Sequence, residues 1–241
     1  MTSHSVVPAS SLDSTPSLIS PILVASPSTI PAAAPLKLGV MASGSGSNFE
    51  AIAQAIADGQ LNATIQVLIC NNPNAKALER AEGWGTPCVL LDHRTFSSRE
   101  DLDRQIADTL KQHGVEWVIM AGWMRRVTQV LIDAFPDQML NIHPSLLPSF
   151  PGIRAVEQAL QAGVKISGCT VHYVHLEVDS GPIVMQAAVP ILAEDTPEML
   201  QARIQVQEHR IFPPAIALAA AQKAGMAPTT FFSTAASQKV S

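Results

Sequence analysis

Between Leu36 and His143 the chain repeats one pattern five times: a short apolar run, then a stretch with helical spacing. The runs are "LKLGVMA", "TIQVLIC", "TPCVLLD", "VEWVIMAG" and "QMLNIH". They are strand-length and bounded by turn residues. Between them lie "NFEAIAQAIADG", "AKALERAEGWG", a segment opened by Ser98 and closed by Gly114, and "TQVLIDAFP". Ser98 with Asp101 three residues on comes close to a capping box, which marks a helix start. Strands alternating with helices at this spacing predict an α/β fold with a doubly wound, mostly parallel sheet.

The pattern changes after the helical segment "RAVEQALQAG". "GCTVHYVHLEV" and "PIVMQAAVPI" read as two strands joined only by "DSG". So short a link predicts an antiparallel strand pair in the C-terminal half. A helix from about Pro197 to Ile211 is expected to break at Pro213-Pro214, with a last helix running to Gly225. Residues 1–36 are rich in Ser and Pro, and Asp13 is their one formally charged side chain. With neither an early positive charge nor arginines, they match no secretory or transit signal. Their expected state is a disordered extension, with a domain at 37–225 and a flexible tail at 226–241.

A net charge of −5 gives no reason to expect a nucleic-acid or membrane partner. Cys70, Cys88 and Cys169 are odd in number and form no CxxC pair, which predicts core packing in a reducing, cytoplasmic setting. Monomer and homodimer are both compatible with this composition.

In open α/β sheets ligands bind outside the carboxyl ends of the strands. Three candidate stretches lie there: "SGSGSN", "GWMRR" and the pair Asn141 and His143. The glycine loop can present backbone N–H groups to an anion. Phe49 replaces the third glycine of a dinucleotide fingerprint, and no lysine follows for a P-loop. A single phosphate monoester fits; a plain tight turn with an N-cap is the alternative. Asn141 and His143 are two apart on a strand and share a face. An amide N–H can donate to a developing oxyanion, and an imidazole can act as acid or base near neutral pH. Asp179, in "VDSGP", is either turn chemistry or a carboxylate that reaches His143, fixes its tautomer and raises its pKa. His172 and His175 face opposite ways on a strand, so no metal is expected. No serine sits in a nucleophile elbow. Gln205 and Glu208 share a helix face, which is either solvated or ligand-binding.

"MASGSGSN", "MAGWMRR", "NIHPSLLPSFPG", "VHYVHLEVDSGPIVMQ" and "RIQVQEH", in this order from about Lys37 to Gly225, resemble the formyltetrahydrofolate-dependent formyltransferases in their glycinamide ribonucleotide branch. The resemblance implies a Rossmann-like formyltransferase fold and direct transfer of a formyl group from 10-formyltetrahydrofolate, a co-substrate, to the amine of the ribonucleotide. It implies Asn141 as oxyanion donor, His143 as general acid and Asp179 as the group that tunes His143. Gly46, Ser47 and Asn48 would hold the substrate phosphate, with Gln205, Val206, Gln207 and Glu208 at the glycinamide and ribose end. Folate would lie against Met124, Arg125, Arg126 and Val127, under a loop of His175, Leu176, Glu177, Val178 and Asp179, with Arg99 and Asn141 nearby. Two residues depart from the family pattern: Arg154 stands where His or Asn is expected, and Arg126 where an apolar residue is. Other formyl-group enzymes and a non-catalytic folate- or phosphate-binding protein are the rival readings.

Overall fold

The computed structural model describes residues 18–21 and 34–225. In chain order the strands are β1 Leu18–Ser20, β2 Leu36–Ala42, β3 Ala63–Cys70, β4 Cys88–Leu90, β5 Trp117–Met120, β6 Met139–His143, β7 Ile166–Tyr173 and β8 Ile183–Pro190. The helices are α1 Ser47–Ala57, α2 Lys76–Gly83, α3 Arg99–Gln112, α4 Gln129–Ala134, α5 Ala155–Gln161 and α6 Pro197–Lys223. All eight strands form one sheet in the order β1-β8-β7-β6-β5-β2-β3-β4. The five apolar runs, β2 to β6, are parallel. The strand β7 is antiparallel to both β6 and β8, and β1 is antiparallel to β8. This is the doubly wound α/β architecture expected from the alternation.

Successive strand residues face opposite sides of the sheet, and each side has its own core. Leu38 and Val40 join Phe49, Ile52 and Phe212 on one side. Met41 and Ile69 join Ile106, Leu110 and Leu131 on the other. Each of these side chains is fully buried, a burial of about 1.5–3 kcal/mol apiece. The Ser98 side chain caps α3 by accepting from Asp101 N at 3.0 Å, as the sequence suggested.

Four expectations are corrected. The link between β7 and β8 spans residues 174–182 rather than three residues. Tyr173 pairs with Leu140 near the start of β6, and beyond that point β7 has almost no partner strand left. Second, α6 runs unbroken through Pro213 and Pro214. Each proline removes one helical N–H, a cost of about 3 kcal/mol in a helix interior. Ile211, Phe212, Ala215 and Ile216, all fully buried, hold both halves on the sheet and outweigh it. Third, Leu18–Ser20 lies within the stretch read as disordered, yet it pairs with Gln186–Ala188 of β8. Fourth, Cys88 is exposed on the short edge strand β4, whereas Cys70 and Cys169 are buried; all three are free. The tail 226–241 lies outside the described residues.

Candidate active site

The loop after β2 is set by its backbone. Gly46 adopts φ +72° as the N-cap of α1, and a Cβ there would stand 2.7 Å from Ala77 Cα. Glycine is therefore required twice over, by conformation and by the approach of α2. Arg80 of α2 donates to Ser45 O at 2.9 Å and pairs with Glu50, which pins the loop from behind. From α6, Gln205 Nε2 donates to Ser47 Oγ at 2.8 Å. Asn48 Nδ2 donates to Glu208 Oε2 at 2.8 Å. Asn48 Oδ1 is buried with no partner, which leaves an acceptor for a ligand. Burial pushes the Glu208 carboxyl above its ordinary 4.5, and the Asn48 hydrogen bond only partly opposes this.

Asn141 and His143 close β6 side by side. His143 Nδ1 lies 3.3 Å from Asp179 Oδ2, and Nε2 donates to Phe150 O at 2.9 Å. Asp179 sits at φ +53°, in the left-handed region, and accepts from Gly152 N at 2.7 Å. The following glycine of the motif, Gly181, has no room for a Cβ because Tyr173 O occupies that space. Burial works to raise the Asp179 carboxyl. The hydrogen bonds from His172 and Gly152 and the charge of both imidazoles outweigh it and hold the carboxyl below 3.8. The expectation that Asp179 raises the His143 pKa is corrected. Its charge does act upward, as does the Phe150 carbonyl, but burial acts downward and wins, leaving the imidazole below 6.5. A buried imidazolium of this kind is the stronger acid.

Sequence reasoning missed His172. It stands directly opposite Asn141 in the β6–β7 ladder. Its Nδ1 donates to Tyr173 O at 2.8 Å, so Nε2 accepts from Asn141 Nδ2 at 3.1 Å. One N–H of the amide is thereby fixed and the other left for a ligand. The same Nε2 lies 3.5 Å from Asp179 Oδ1. The histidine thus orders both the amide and the carboxylate.

A cleft of about 470 Å³ joins these parts. It is lined by Gly46, Ser47, Asn48, Gln205 and Glu208 at one end, and by Asn141, His143, His172 and Asp179 at its centre. Met124, Arg125, Arg126, Val127, His175, Leu176 and Val178 also line it. Ser43 Oγ accepts from Met124 N at 2.9 Å, tying the β5 loop to the glycine loop. Four anticipated residues do not line it. Gln207 is buried and Val206 half-buried along α6, while Arg99 and Glu177 are exposed elsewhere.

Residues 36–216 match the family model described as formyl transferase. The chain belongs to the formyl transferase family. It is 42% identical over 180 residues to phosphoribosylglycinamide formyltransferase of Bacillus subtilis (strain 168), covering 75% of this chain and 92% of that one. It is also similar to a solved glycinamide ribonucleotide transformylase from Symbiobacterium toebii. There the identity is 46% and the TM-score 0.75, over 76% of this chain and 86% of that one. The phosphoribosylglycinamide formyltransferase structure from Bacillus halodurans gives 42% and 0.74, over 78% and 96%. In this formyl transferase the matched span includes every residue that lines the cleft. It excludes β1. Among the described residues no helix is long and apolar enough to cross a membrane.

Proposed function

We propose that this formyl transferase carries the formyl group of 10-formyltetrahydrofolate to the amine of phosphoribosylglycinamide, a step of purine biosynthesis in the cytoplasm. The amine lone pair attacks the formyl carbon, and the carbonyl oxygen becomes an oxyanion. The free N–H of Asn141 donates to it, and the His143 imidazolium, a strong acid for its type, stabilises it and supplies a proton. The bond from the formyl carbon to the folate nitrogen then breaks, that nitrogen is protonated, and the amine loses its extra proton, with Asp179 holding the imidazole in place. Delivery of the His143 Nε2 proton requires its hydrogen bond to Phe150 O to be exchanged for one to substrate. Ser47 and the Gly46 backbone receive the phosphate. Asn48 and Glu208 bind the ribose and glycinamide end.

The observation that carries this reading is the convergence of Asn141, His143 and Asp179 at the centre of one cleft, between a lysine-free phosphate loop and an apolar lip. The test follows folate absorbance on purified protein with 10-formyltetrahydrofolate, with and without the ribonucleotide. Donor consumption only when the ribonucleotide is present is the expected result. Consumption without it would make the protein a hydrolase, and none in either case would leave a binding protein.

A further inference from the structure

Three loops frame the mouth of the cleft, and each carries a solvent-facing apolar side chain. Met124 is 74% exposed, Ile153 73% and Leu176 54%. Scattered exposed apolar residues need no explanation, but three around one opening, with Val178 beside them, make a patch of the kind that meets a ligand. Two of these loops also carry an exposed arginine within two residues of the apolar one, Arg126 and Arg154. Neither guanidinium has an ion pair or hydrogen bond among the described residues. The chain as a whole is acidic, so two uncompensated cations on one rim are a local exception.

An apolar rim with cations set at its outer edge is complementary to a flat apolar body that continues into a chain of carboxylates. A guanidinium also packs on aryl faces as readily as it pairs with a carboxylate. The donor assigned above ends in a benzoyl group followed by glutamate, and this inference rests on that assignment. Arg125, half-buried in the same loop, stands deeper and suits the first glutamate. We propose that Arg126 and Arg154 form an outer anion subsite for additional glutamates. The enzyme then selects an oligoglutamylated donor over a monoglutamylated one.

The test is a titration of the full-length protein with tetrahydrofolate bearing one or three glutamates, read by tryptophan fluorescence, since Trp123 lines the cleft. The variants are R126L, R154N and the double; asparagine is chosen because position 154 has φ +58°, which it tolerates. A K76Q/K111Q double variant removes two positive charges away from the cleft as a control. Wild type is expected to bind the triglutamate at least about threefold more tightly at low salt, with the ratio shrinking as salt rises. Each single variant loses part of that ratio, the double variant brings it to about one, and the control keeps it. Equal affinities in wild type, or a ratio that survives in a folded double variant, would overturn the proposal. Wild type that binds neither folate would overturn the donor assignment itself, an outcome the monoglutamate titration identifies separately.

Discussion

His143 Nδ1 stands 3.3 Å from Asp179 Oδ2, with only 7% and 9% of the two side chains exposed. Their attraction acts in a setting that penalises both charges. The balance differs for each: the carboxylate keeps its charge easily, while the imidazole gives up its proton easily.

Stability therefore falls on the acid side of neutrality. Burial lowers the pKa of His143, and burial with the nearby Arg80 lowers that of His209, both from 6.5. Between the folded value and 6.5 the unfolded chain binds more protons. The contribution is thus fully present above 6.5 and is lost as pH falls through the folded value. Thermal melts from about pH 5 to 8 should show the melting temperature rising with pH up to that point. His209→Leu, which also removes a buried Nε2 without a partner, should reduce the slope.

Asn141→Ala and His143→Ala should leave the fold intact and abolish most turnover. Loss of a preorganised oxyanion donor costs about 10²–10³ in rate, and loss of a general acid about 10²–10⁴. Steady-state kinetics beside a thermal melt checks both. Near-normal turnover by a well-folded His143→Ala protein would sink the mechanism.

His172→Ala releases the Asn141 amide and takes a partner from Asp179. The expected result is a fall in kcat smaller than that of Asn141→Ala, with KM for the ribonucleotide nearly unchanged. A shift confined to KM would place His172 at the substrate instead.

Glu208→Gln separates binding from stability. The folded carboxyl has a raised pKa, so its penalty grows as pH rises from 4.5 through the folded value. Glutamine carries no such penalty and can still accept from Asn48. At neutral pH the variant should melt at the same or a higher temperature while KM for the ribonucleotide rises. A lower melting temperature would contradict the burial argument.

The strand–helix alternation disclosed the sheet because local periodicity encodes it. Cross-strand register is not local, and His172 was missed for that reason: only the pairing of β7 with β6 puts it opposite Asn141. Reading i and i+3 on one strand correctly separates His172 from His175 but says nothing about what each faces. Helical geometry accounts for the pair Gln205 and Glu208, which share the cleft face, while Val206 and Gln207 between them turn away. The proline pair was read as a break because its local cost was visible and the burial of Phe212 and Ile216 was not.

The strand β1 comes from sequence outside the span this chain shares with its family. It covers Gln186, Ala187 and Ala188 with three residues that run straight into Pro21. A proline has no N–H with which to prolong a ladder, so the margin now offered to solvent is too short to recruit a strand from another molecule. The leader thus acts as a selvedge, finishing the sheet along the side where it would otherwise fray into its neighbours.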